Sequence, residues 1–133
     1  MKIKAVIEKG KDGFYSVRSE NKIGRSYLGG FGESVGEAKE DFMDSLSEAV
    51  EEAKRDGLNC NIDGIRITYS YDIPSFFNYF DFINVSKFSS LVGVNESKMR
   101  QYKSGLAYPG EKTTKKILSA IHRIGFELTN STL

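Results

Sequence analysis

The stretch Val85-Ser86-Lys87-Phe88-Ser89-Ser90-Leu91-Val92-Gly93-Val94-Asn95-Glu96-Ser97-Lys98-Met99-Arg100-Gln101-Tyr102-Lys103-Ser104-Gly105 decides how this chain is read. Val85 to Val92 fits a short helix with Phe88 and Val92 on one face. Gly93 supplies a left-handed stop, because a residue without a Cβ enters positive φ at little steric cost. Val94 then points inward, and Asn95 is a good N-cap for a second helix from Glu96 to Ser104, ended by Gly105. In that helix Met99 and Tyr102, three apart, face a core, while Ser97, Lys98, Arg100, Gln101 and Lys103 face away. Two short helices joined by a Gly-Val-Asn corner, the second with a polar and basic outer face, read as a helix-turn-helix. The chemistry suits DNA: Arg and Lys pair with guanine or phosphate, Gln with adenine, Ser with several base edges. A helix N-terminus also attracts phosphate. An ordinary helical hairpin with a solvated outer face fits the same spacing.

Gly93 to Gly105 resembles the Gly-Val-Ser-x-Ser-x-Ile-x-x-Trp-x-x-Gly signature of repressor-like, Cro-type domains. Pro109, a helix from Glu111 to Ile124, and Gly125-Phe126-Glu127-Leu128 are similar to that family's next helix and its Gly-Val-x-Leu end. The resemblance covers Val85 to Leu128, with Asn95 in place of the commoner serine and Tyr102 in place of tryptophan. It implies base contacts from Ser97, Lys98 and Gln101. It implies phosphate contacts from Arg100, Lys103 and Asn95, with Lys112 and Thr113 as further candidates at the start of the following helix.

Upstream, the periodicity changes. Lys2 to Lys9 alternates, with Ile3, Ala5 and Ile7 on one face, and predicts a strand. Gly10-Lys11-Asp12-Gly13 is a turn, and Phe14-Tyr15-Ser16-Val17-Arg18 the partner strand of a hairpin. A polar segment, Ser19 to Ser26, leads to a third strand, Tyr27 to Gly32, weakened by its glycines; the Gly29-Gly30-x-Gly32 run is read as strain or a bulge. Ser34-Val35-Gly36-Glu37 is a capping box. Val35, Ala38, Phe42, Leu46, Ala49, Val50 and Ala53 then mark an amphipathic helix ending near Asp56, with an acidic outer face read as solvated. Ile65 to Tyr71 gives a fourth strand. From Tyr69 to Phe82 the chain carries 7 aromatics, which points to a second helical core, a domain junction or a dimer contact.

The strand, the Asp12-Gly13-Phe14-Tyr15-Ser16-Val17 turn and strand, and Gly32-Glu33-Ser34-Val35-Gly36-Glu37-Ala38 opening a helix resemble the HicB antitoxin family. Its usual line is Asp-Gly-x-Tyr-x-Val, then Gly-Asp-Thr-x-Glu-Glu-Ala. Where that family has Pro-Asp-Leu-Pro-Gly-Cys, this chain has Glu20-Asn21-Lys22-Ile23-Gly24-Arg25. The resemblance implies an α+β chain. A β-β-β-α-β partial ribonuclease-H-like module, 1–73, would bind a toxin and precede an all-α helix-turn-helix domain, 74–133. It implies a small basic HicA-like ribonuclease toxin as partner, with Phe14, Tyr15, Arg18 and Tyr27 as contacts. It also implies double-stranded operator DNA as a second partner, a homodimer or higher homo-oligomer, and transcriptional autorepression.

Composition sets the limits. The chain has 133 residues and a formal net charge of +1. Residues 1–73 carry 11 Lys and Arg against 14 Asp and Glu; residues 74–133 carry 8 against 4. The near-neutral total is therefore a cancellation of −3 and +4. Cys60 and His122 are the only residues of their types, which leaves no disulfide, zinc site or evident catalytic triad, and a cytoplasmic protein is the expectation. No membrane span, metal or cofactor is expected. A ribonuclease-H site needs convergent carboxylates. The first strand has Lys4-Ala5-Val6 at its middle, Glu8 at its end and Asp12 in the turn, so no catalysis is expected. Two other readings stay open: an assembly module that binds no DNA, and a degenerate nuclease.

Overall fold

A computed structural model describes residues 1–133 and shows an α+β chain of two compact units, Met1–Phe80 and Asp81–Leu133. In the first unit, strands β1 (Lys2–Lys9), β2 (Tyr15–Ile23) and β3 (Ser26–Gly32) precede helix α1 (Val35–Arg55). A 3-10 turn (Ile62–Gly64), strand β4 (Arg66–Tyr71) and the short helix α2 (Ile73–Tyr79) follow. The sheet order is β3-β2-β1-β4. β1 pairs antiparallel with β2 and parallel with β4.

Period-2 alternation sets the faces. Ile3, Ala5, Ile7, Tyr15, Val17 and Leu28 point to one side and are buried under the apolar stripe of α1, Val35 to Ala53. The expected hairpin turn is present: Gly13 has φ +86, and the Asp12 carboxylate accepts from the Phe14 amide at 3.0 Å. The α1 start is also as expected, with Ser34 Oγ accepting from the Glu37 amide at 3.1 Å. Glu37 Oε2 accepts from the Glu33 amide at 2.8 Å, one residue before the position a standard capping box uses.

The structure differs from the sequence reading in four places here. The polar segment after Arg18 is not a loop: β2 runs on to Ile23 and turns at Gly24, φ +58. Its pairing with β3 slips between Arg18 and Lys22. Around that irregularity side chains stand in for ladder groups, as Ser19 Oγ accepts from the Leu28 amide (2.8 Å) and Asn21 Oδ1 from the Lys4 amide (2.8 Å). Second, the glycine run in β3 marks close approach of the helix, not strain. A Cβ on Gly30 would lie 2.4 Å from Ala38 O and Phe42 N, and one on Gly32 2.5 Å from Glu37 Cβ. The Gly29 and Phe31 amides donate to Ser45 Oγ (3.3 Å) and Asp41 Oδ2 (2.9 Å), so α1 also covers hydrogen-bonding groups of this edge strand.

Third, most of the aromatic belt belongs to the first unit and not to the helical unit that follows. Tyr69, Tyr71, Phe76, Tyr79 and Phe80 pack on one another within the first unit, with centroids 5.0–6.5 Å apart. Phe82 alone of the seven falls in the second unit, and it is largely exposed. The chain therefore divides after Phe80 instead of at Pro74, because α2 packs with β1, β4 and α1. Asp72 Oδ1 caps α2 by accepting from the Ser75 amide, and its Oδ2 accepts from the Lys9 amide.

The second unit holds α3 (Val85–Val92), α4 (Glu96–Ser104) and α5 (Glu111–Thr129). Val85, Phe88, Val92, Met99, Tyr102, Ile117 and Ala120 form its buried set. The fourth difference lies here: α5 continues through Gly125, where Thr129 Oγ1 donates to the glycine carbonyl at 2.8 Å. No helix of the chain is long and apolar enough to cross a membrane.

Candidate nucleic-acid interface

The corner between α3 and α4 is built from local hydrogen bonds. Asn84 caps α3, its Oδ1 accepting from the Lys87 amide at 3.0 Å. Ser89 is fully buried, and its hydroxyl donates to the Val85 carbonyl at 2.7 Å, which satisfies a polar group in a core position. Gly93 adopts φ +84, and its amide and that of Val94 both donate to the Ser89 carbonyl. This is a conformation that a Cβ would strain. Val94 is half-buried, and Asn95 Oδ1 accepts from the Lys98 amide at 3.2 Å. Gly105 repeats the left-handed stop at φ +83.

This frame sorts α4 into two faces. Met99 and Tyr102 are buried, while Ser97, Lys98, Arg100, Gln101 and Lys103 are exposed together. Arg100 donates to Glu96 Oε1 at 2.8 Å, one turn earlier, which orients the guanidinium along the helix surface. Lys98 Nζ sits 6.0 Å from the Tyr102 ring centre. Asn95 spends its side-chain oxygen on the cap, and its amide nitrogen makes no hydrogen bond within the chain. Lys112 is exposed and Thr113 half-buried in the first turn of α5, whose N-cap is Gly110 with no side-chain cap bond.

A second basic feature escapes sequence reading. Leu91, Val92, Lys115, Lys116, Ser119, Ala120 and Arg123 line a groove of about 470 Å³ between α3 and α5. Arg123 donates to the Leu91 carbonyl at 3.2 Å and forms one wall. The helical spacing of Lys116, Ser119 and Arg123 is the signal that could have found it.

In the first unit the four candidate toxin contacts separate. Phe14 and Tyr27 are exposed. Arg18 is exposed and pairs with Glu8 at 3.5 Å. Tyr15 is only 7% exposed and belongs to the core. Burial, with the Asp72 carboxylate, raises its phenol above the ordinary range. Tyr15 therefore offers a partner almost no surface.

The other side of this unit is acidic. Glu37, Glu40, Asp41, Asp44, Glu48 and Glu51 all stand on the outer side of α1, most of them exposed. Beside them a groove of about 650 Å³ is lined by Gly36, Lys39, Glu40, Met43, Asp44, Tyr69 and Tyr79. Lys39 is held in an aromatic cage. Its Nζ lies 4.1, 5.0 and 3.6 Å from the ring centres of Tyr69, Tyr71 and Tyr79, and donates to Tyr71 Oη at 2.5 Å. Burial pushes the ammonium below its ordinary range and the Tyr71 phenol above its own, with Tyr79 and Tyr69 adding to the latter.

The carboxylates considered for nuclease chemistry are engaged elsewhere: Glu8 with Arg18, Asp12 in the turn. No group of three His, Cys, Asp or Glu side chains is arranged to hold a metal ion. His122 is exposed on α5, and Cys60 is a half-buried free thiol. Compared with family models, with curated proteins and with solved structures, the chain matches none.

Proposed function

We propose that the chain is a HicB-like antitoxin that autorepresses its own operon. The second unit acts as a helix-turn-helix DNA reader, and the first as a partial ribonuclease-H-like binding module without catalysis. The observation that carries this reading is the α4 surface. Ser97, Lys98, Arg100, Gln101 and Lys103 are exposed on one face, over a corner that Gly93 and Asn95 hold in place. These side chains supply the donors and acceptors that read base edges and phosphates in a major groove. Lys112 and Thr113 extend the phosphate contacts. Ser97, Lys98 and Gln101 take the base edges.

One such unit reads a single half-site, so the operator-bound form is a homodimer. Phe126 and Leu128, 71% and 65% exposed near the end of α5, are the apolar surface that a second copy covers.

A small basic ribonuclease toxin fits the first unit by charge. The acidic face of α1 is the surface for it, because like charges across an interface are unfavourable and opposite charges steer encounter. Arg18 and Tyr27 lie on the side of the sheet away from that face, and Phe14 is exposed just before β2. The site of action is the cytoplasm.

The test is twofold. The full chain should retard a duplex taken from directly upstream of its own reading frame, and lose that binding steeply with salt. Co-expression should restore growth of cells producing the short basic protein encoded beside it. A chain that elutes as a monomer and binds no duplex would sink the repressor reading, and unrelieved growth arrest would sink the antitoxin reading.

A further inference from the structure

The first unit has a second surface that the proposed function leaves unused. Helix α1 covers only one face of the sheet; the other face is open along all four strands. Its β3 positions present Tyr27 and Phe31, 64% and 71% exposed. Two large rings on one edge strand, with Gly29 between them, are not demanded by folding, since neither is buried. In the register Lys22 pairs with Tyr27 and Ser16 with Phe31, so the two rings stand on the same open face as Lys22.

The charge on this face is the reverse of the unit's total. Its two acidic side chains are both paired: Glu8 with Arg18 at 3.5 Å, Glu20 with Lys4 at 3.7 Å. Lys2, Lys22 and Arg66 carry no ion pair and leave the face net positive. Lys22 Nζ sits 5.1 Å from the Tyr27 ring centre, so ring and cation are presented together. Residues 1–73 sum to −3, and α1 carries most of the excess acid on the opposite side. Charge is thus segregated across the unit's thickness.

We propose that this open face binds single-stranded nucleic acid, with Tyr27 and Phe31 stacking on bases and Lys2, Lys22 and Arg66 meeting phosphates. The occupant follows from complementarity. A basic protein is repelled here, and so is a second copy of the same positive face. A polyanion is attracted, and among polyanions only one with unpaired bases uses exposed rings as stacking platforms. A duplex hides its bases from a flat sheet. The proposal is independent of the α4 reading, because it concerns other residues in the other unit.

The test uses the full chain and fluorescence anisotropy with labelled 12-nucleotide oligo(U), oligo(dT) and a mixed-sequence duplex of equal length. Oligo(U) or oligo(dT) should bind, and the stronger of the two identifies the natural sugar. The double variant Tyr27→Ala and Phe31→Ala should weaken that binding at least about tenfold, while Tyr27→Phe with Phe31→Tyr should keep it. Lys2→Gln, Lys22→Gln and Arg66→Gln together should reduce the salt slope by about 0.7 for each phosphate no longer neutralised. All these positions are exposed, and circular dichroism checks the fold of each variant. Three results would overturn the proposal. The first is no binding by the wild type. The second is full binding by the ring-less variant. The third is a concentration-dependent dimer that Phe31→Ala abolishes, which would assign the face to a second copy.

Discussion

Helices α1 and α5 are nearly equal in length, 21 and 19 residues, yet they are held in different ways. α1 buries Val35, Ala38, Phe42, Leu46, Ala49, Val50 and Ala53, a stripe running its whole length. α5 buries only Ile117 and Ala120, neither beyond its midpoint, and ends with Phe126 and Leu128 in solvent. The sheet gives α1 a continuous partner, so its outer face is free to be almost wholly acidic. The three-helix unit is too small to cover α5, and the apolar surface left over is what the proposed dimer uses. A helix whose stripe is buried throughout reports on its own fold, and one whose stripe is half buried points to another molecule.

The comparison breaks most sharply at the centre of the α1 stripe. Phe42 is fully buried and meets Tyr69 edge-on at 6.3 Å. Phe42→Ala is expected to cost about 3–5 kcal/mol in urea unfolding. In α5 the same truncation should divide by position: Ile117→Ala costing about 2–5 kcal/mol, Phe126→Ala within about 0.5 kcal/mol for the monomer. A large loss at Phe126 in dilute protein would mean that α5 is held throughout, as α1 is. Gly30→Ala should cost about 1–3 kcal/mol, since the added methyl meets helix backbone at 2.4 Å and neither element has room to yield. If β3 tolerated that methyl, the close-approach account of its glycines would be wrong.

Alkaline pH separates the units through the aromatic cluster. The Tyr71 phenol is raised above its ordinary value of 10.0, chiefly by burial, as are those of Tyr69 and Tyr15. A raised folded-state pKa stabilises fully below the unfolded value and is lost as pH climbs through the folded one. For a phenol held neutral by burial, the folded protein must then either bury a phenolate or open. Lys39, lowered by burial, works in the opposite sense as it loses its proton. Three phenols outweigh one amine, so the first unit should lose stability above about pH 10. Tyr71→Phe should flatten that fall in thermal melts taken from about pH 8 to about pH 11.5. The cluster belongs to the first unit, and the fall is expected there. Asn95→Ala is the smallest expected effect, about 1 kcal/mol for one lost helix cap.

What is legible in the sequence follows the range of the interactions. The order of the strands, the α1 stripe and the α3–α4 corner rest on near-neighbour spacing, and Ile3, Phe42, Met99 and Tyr102 are buried as that spacing requires. The extension of β2 is hidden because Ser19 and Asn21 pair through their side chains, in residue types that read as loop. The role of Gly30 depends on Ala38 and Phe42 crossing above it, and a glycine pattern alone does not distinguish close packing from a bulge. The Lys39 cage joins a lysine on α1 to tyrosines on β4 and α2, far apart along the chain. The HicB-like motif offers Tyr15 as a toxin contact, while its alternation with Val17 places it inward. On α4, local spacing suffices to bring the five exposed side chains onto one surface; the partner they meet is a matter of chemistry and experiment.

The most direct measurement replaces Arg100 and Gln101 by alanine in the full chain. It compares binding to the upstream duplex with binding to a scrambled duplex of the same length. Both positions are exposed, so the thermal transition should stay in place. The account predicts that wild type prefers the upstream duplex and that the variant loses this preference, each base pairing removed costing about 1–3 kcal/mol. Equal discrimination by wild type and variant would contradict it, and α4 would then be an ordinary solvated helix.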